Sequence, residues 1–134
     1  YWEAQPETGN DFSGLRRIVL ARADLPEALE LFPDSRSDIP REVERYTAMR
    51  FASRNGFSPP YFYNRKLRSR LHRFPGPALL LWGEHDRMVP RAHAEAYRAG
   101  LKDAALHIVK GTGHSMHVEA PRETAAFIRR FLAE

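Results

Sequence analysis

The sequence has no cysteine, which excludes disulfides, thiolate metal sites and a cysteine nucleophile together and fits a reducing compartment. Long apolar runs are missing as well. The longest, residues 78–82, falls far short of the about 20 residues that span a bilayer, so neither a transmembrane helix nor a membrane partner is expected. No charged, apolar and small-residue leader follows Tyr1, and the expected location is cytoplasmic. Internal repeats and low-complexity segments are absent too, which excludes solenoids and disordered linkers.

What remains is the make-up of an ordinary globular domain. The chain has 134 residues, 43% of them hydrophobic and 28% charged, enough to bury a real core. The net charge of +4 is spread over many arginines. Its densest patch, Arg65, Lys66, Arg68, Arg70 and Arg73, is interleaved with Leu67 and Leu71, the spacing of an amphipathic helix with a solvated basic face. A binding role for that face would need a recognisable nucleic-acid motif beside it. None is present, so nucleic acid is not an expected partner.

The first half reads as helical and the second as α/β. Residues 1–11 suit a loop. Leu15, Ile18 and Val19 predict a short helix to about Ala23, and residues 25–31 predict another turn or two before Pro33, Asp34, Ser35 and Ser37. Asp38 can cap a third helix with Pro40 in its first turn and Val43, Tyr46, Met49 or Arg50, and Phe51 on its inner face. Residues 57–63 form an aromatic, proline-rich loop, and Asn64 can cap the basic helix that runs to about Arg73. Then the pattern changes. Residues 78–82, bounded by Pro77 and Gly83, predict a strand buried on both faces. Residues 90–100 predict a helix stopped by Gly100, residues 106–109 a second strand, and Pro121 a last helix with Phe127, Ile128, Phe131 and Leu132 toward one side. Strand, helix, strand, helix implies parallel strands joined by a crossover, hence the α/β class.

In open parallel sheets, functional groups gather in the loops at the carboxyl ends of the strands. Asp86 stands just past the first strand. His114 stands past the second, in the loop Lys110, Gly111, Thr112, Gly113, His114, whose glycines leave the backbone free to bring an imidazole inward. The two are 28 residues apart, room for one helix and one strand, which sets their loops side by side. Taken singly, Asp86 suits a turn cap and His114 a satisfied loop histidine. Taken together they make a general-base pair, the carboxylate fixing the imidazole tautomer and stabilising the imidazolium.

The segments PALLLWGEHDRMVP, residues 77–90, and HIVKGTGHSMHVEAPRETAAFIRRFL, residues 107–132, resemble the C-terminal part of an α/β-hydrolase-fold enzyme. Enzymes of that family carry their triad in the chain order nucleophile, acid, His. The resemblance implies Asp86, after Gly83, as the acid and His114, after Gly111 and Gly113, as the base. SPPYFYNRKLRSRLHRF, residues 58–74, is similar to the segment that leads from the helical cap of bacterial members into that strand. It implies a cap segment over residues 1–74 and the end of the hydrolase core over residues 75–134.

One family feature is missing from the 134 residues. No serine has glycine two positions away on both sides, so there is no G-x-S-x-G nucleophile elbow, and the strands and glycine loop of an oxyanion hole are missing with it. The expectation is therefore an incomplete α/β-hydrolase fold whose partner is the N-terminal remainder of the same enzyme. Alone, the chain should not hydrolyse esters, and its two strands should leave an unpaired apolar edge that makes it marginal or self-associating.

The resemblance implies a parent that hydrolyses an ester, amide or carbon–carbon bond. The same fold with an aspartate nucleophile would instead be a dehalogenase or epoxide hydrolase, and a truncated module without catalysis is the third alternative. The substrate expected is a small apolar or aromatic molecule. Phe57, Tyr61, Phe62 and Tyr63 would wall its pocket, with Met88 and Val89 after the acid and His117 at the entrance. No cofactor is expected. A metal site drawn from His85, Asp86, His114 and His117 is set aside, since no helix fixes the two later histidines and the dyad already uses the best pair.

Overall fold

The structure is a computed structural model that describes residues 13–32, 43, 44, 47, 48, 51, 64 and 66–133. The elements follow the expected order. Helix α1 is Ser13–Val19, and α2 is Pro26–Leu31, with Pro26 in its first turn where a missing N–H costs nothing. The basic segment forms only a single turn, α3 (Leu67–Arg70), continued by a 3₁₀ turn (Leu71–Arg73). Asn64 sits before it and accepts from Lys66 N at 3.0 Å.

Strand β1 (Ala78–Gly83) runs parallel to β2 (Ala104–Val109), and α4 (Arg91–Gly100) is the crossover between them. The pairing starts with Ala78 opposite Ala104 and ends with Gly83 opposite Val109, so both strands finish at the same level. Their carboxyl-end loops are therefore neighbours. A one-turn helix α5 (Met116–Glu119) and the long α6 (Pro121–Ala133) follow. Helix α4 packs on both strands, and α6 packs on β1 while its Phe127 ring stacks 4.5 Å from the His107 ring of β2.

The core lies at two places. Val109 and Ala94 are fully buried in the sheet and its crossover helix. Val19, Leu20 and Ala28 form a second cluster, with Leu25, Phe32 and Val118 packed against it. This cluster ties residues 19–32 to the helix that follows the β2 loop.

Several expectations differ from what is seen. Helix α1 stops at Val19 rather than near Ala23, because residues 20–25 turn to bring Arg22 against Glu119. The residues of β1 before Gly83 are half-buried rather than buried on both faces, because among the described residues β1 has a strand neighbour on one edge only. Ile128 and Leu132 of α6 are exposed, Leu132 at 76%, since a sheet of two strands is about 10 Å wide and leaves part of an equally wide helix uncovered. Gly100 is the last residue of α4 rather than a left-handed stop; a Cβ there would lie 2.7 Å from Leu71 Cδ1 and 3.0 Å from Leu71 Cβ, so the 3₁₀ turn packs directly on it. Val43 and Phe51, expected on an inner face, are exposed, while Tyr46, Met49 and Arg50 lie outside the described residues.

Candidate active site

The loop after β1 is built around one carboxylate. Asp86 Oδ1 accepts from the amides of Met88 at 2.9 Å and Val89 at 2.8 Å, an Asx-type turn that holds the side chain against its own backbone. Trp82 at the end of β1 pins the loop from beneath, its indole N–H donating to Val89 O at 2.9 Å. The remaining oxygen, Oδ2, is left for His114.

The loop after β2 is built from a distance. Gly111 has φ +65°, the left-handed region that other residues enter at a cost. Its amide donates to Glu84 Oε2 at 2.9 Å. Thr112 is fully buried, its hydroxyl donating to Val109 O at 2.9 Å while its carbonyl accepts from His85 N. Gly83 lies directly against the Gly113 carbonyl, with no room for a Cβ. On its other side Gly113 abuts residues 19–21, where a Cβ would lie 2.7 Å from Ala21 N. Glycine at 83 and at 113 is thus a condition of bringing the two loops together.

The result is a hydrogen bond of 3.0 Å between His114 Nδ1 and Asp86 Oδ2. The Asp86 side chain is 4% exposed and that of His114 is 40% exposed. A carboxylate at Nδ1 places the ring proton there and leaves Nε2 as the lone-pair nitrogen. Among the described residues Nε2 has no hydrogen-bond partner. The pair is therefore a buried acceptor behind a half-open imidazole, the arrangement that lets one ring nitrogen take up a proton.

Of the other residues singled out from the sequence, Met88 and Val89 meet the Asp86 carboxylate through their amides, with Met88 39% exposed and Val89 half-buried. His117 is exposed on α5, apart from the dyad's hydrogen bonds. Phe57, Tyr61, Phe62 and Tyr63 lie outside the described residues. His85 is exposed beside Glu84 at 3.5 Å, and no three histidine, aspartate or glutamate side chains among the described residues are grouped as a metal would need.

Two glutamates, Glu84 and Glu119, hold the β2 loop without any sequence motif that marks them. Glu84 holds Gly111, as above. Glu119 is 5% exposed, with Oε2 accepting from Gly113 N at 2.6 Å and Oε1 from Arg22 N at 2.7 Å. The sequence signal for Glu119 is a lone charge between Val118 and Ala120, a place where a carboxylate is buried only if it has partners.

Two parallel strands joined by a crossover helix, with an aspartate after the first hydrogen-bonded to a histidine after the second, have the order found at the end of an α/β-hydrolase-type fold. The comparisons with known proteins agree. The model of the alpha/beta hydrolase family matches residues 3–127, and the chain belongs to that family. It is 26% identical over 117 residues to the monoacylglycerol lipase ABHD6 of Mus musculus, a match covering 82% of this chain and 35% of the relative. Among solved structures, a membrane phospholipase A described as a bacterial virulence factor superposes with TM-score 0.64 at 30% identity, covering 91% of this chain and 37% of that one. The 2-hydroxy-6-oxo-6-phenylhexa-2,4-dienoate hydrolase of Rhodococcus sp. strain RHA1, at 18% identity and TM-score 0.60 over 92% of this chain and 43% of that one, shares the fold. The chain thus spans well under half the length of these relatives.

Proposed function

We propose that this chain is the acid and base segment of a hydrolase that cleaves carboxylic esters, with Asp86 and His114 as two members of its triad. One observation carries the reading: the 3.0 Å bond between His114 Nδ1 and the buried Asp86, made across two strand-end loops. Residues 1–74 would serve as cap and residues 75–134 as the end of the core. The unpaired edge of β1 would then be where the sheet continues into the N-terminal remainder.

The chemistry follows from the free nitrogen. His114 Nε2 takes the proton of the nucleophile's hydroxyl as that oxygen attacks the ester carbonyl, and the imidazolium formed is stabilised by Asp86. The same proton then passes to the departing alkoxide. In the second half Nε2 takes a proton from water, which attacks the acyl-enzyme, and returns it to the nucleophile. Lipase-type relatives support an ester with an apolar acyl chain as substrate, walled by Phe57, Tyr61, Phe62 and Tyr63 and bordered by Met88, Val89 and His117. No cofactor enters this scheme.

The nucleophile decides the branch. A G-x-S-x-G elbow in the reading frame upstream of Tyr1 makes the parent a serine hydrolase, whereas an aspartate at the elbow moves it to the dehalogenase or epoxide-hydrolase branch. The direct test is turnover of a nitrophenyl acyl ester by the full-length enzyme. Loss of about six orders of magnitude in kcat for His114→Ala is expected, and turnover equal to wild type would refute the role of His114.

A further inference from the structure

We propose that Glu119 is a positioning residue for the base, fixing His114 against Asp86 by holding the peptide on its N-terminal side. The catalytic consequence rests on the reading of His114 as the base; the placement itself does not. A half-exposed imidazole with one side-chain hydrogen bond is not located by packing, so its backbone must locate it. That backbone is tethered on both sides. Gly113 N donates to Glu119 Oε2 at 2.6 Å, and Ser115 N donates to Val19 O at 3.1 Å. Both tethers lead to one segment, because Glu119 Oε1 also accepts from Arg22 N at 2.7 Å.

The attachment is reciprocal. Arg22 Nη2 donates to the backbone carbonyl of Glu119, so one residue meets Glu119 through both its main chain and its side chain. Between these contacts Gly113 is wedged against the backbone of residues 19–21. Glu119 therefore joins the base loop to a segment more than 90 residues earlier, on which that loop rests. With the residue 5% exposed and each oxygen bound to a main-chain N–H, the carboxylate is matched to two donors, and only aspartate, one methylene shorter, carries the same pair of acceptor oxygens. A glutamine of the same shape offers one acceptor and one donor, so one of the two amides would face an N–H instead of an oxygen.

A carboxylate that only stabilised the fold would lower the unfolding temperature and leave the dyad alone. The experiment compares the full-length wild-type enzyme with Glu119→Gln and Glu119→Ala, with His114→Ala as the reference that identifies the downfield imidazole N–H proton resonance. Expected for Glu119→Gln is loss or broadening of that resonance, with kcat down roughly tenfold to a hundredfold and KM within about twofold of wild type. A folded Glu119→Gln that keeps the resonance and the turnover overturns the proposal. Should His114→Ala prove fully active, the reading of the base fails while the resonance in Glu119→Gln still decides the placement. If neither Glu119 variant folds, hydrogen exchange of the wild type decides: Gly113 and Arg22 amides as slow as those of β2 support the clamp, and exchange as fast as an open loop overturns it.

Discussion

The two loops that carry the dyad are made in opposite ways. After β1, Asp86 is held by amides two and three residues further along, so the acid carries its own setting with it. After β2, the Thr112 hydroxyl makes a local bond to Val109 O, but the peptides beside His114 are held by Glu119 and by Val19, the last from nearly 100 residues away, and Gly111 by Glu84. A local turn survives changes elsewhere in the molecule. A loop assembled from distant tethers transmits those changes to the residue it carries, so the base should be the sensitive half of the pair.

Breaking the pair itself should have the largest effect. Asp86→Asn in the full-length enzyme keeps the turn but presents the wrong group to Nδ1, and kcat for ester hydrolysis should fall by about 10⁴. The next effect should come from the ground between the loops. Gly83→Ala drives a methyl group into the Gly113 carbonyl and should destabilise the fold by about 3 kcal/mol in urea unfolding, with loss of activity in the folded fraction. Gly111→Ala meets no atoms within 4 Å, so only its φ of +65° opposes it; a loss of about 1 kcal/mol is expected in the same assay. If Gly111→Ala proved as damaging as Gly83→Ala, close approach of the loops would not be what glycine serves here. The smallest effect belongs far from both loops. Arg91→Ala removes an exposed pair with Glu95, one helical turn away, and should change stability by less than about 0.5 kcal/mol.

The same contrast explains what could be read from the sequence. The apolar run ending in Gly83, Glu84, His85 and Asp86 disclosed both β1 and the carboxylate that the structure pairs with His114, because strand, turn and carboxylate are neighbours in the chain. The pairing of Asp86 with His114 was legible because one crossover fixes which loops adjoin. Glu119 was not. Its partners are Gly113, six residues back, and Arg22, 97 residues back, and no periodicity marks a contact of that length. Strand β2 begins at Ala104 rather than Leu106 because Ala104 and Ala105 lack the β-branched bulk that signals a strand, yet they pair with Ala78 and Leu79. The 3₁₀ turn after α3 was likewise hidden, since a uniform basic helical pattern gives no sign of a tighter turn.

The most direct test of the dyad's role is labelling of the full-length enzyme by a fluorophosphonate, which reacts with an activated serine hydroxyl. Rapid labelling of the wild type that disappears in His114→Ala is the expected result. Labelling that is indifferent to His114, or none in the wild type, would contradict the assignment of Asp86 and His114 as the acid and base of a serine hydrolase.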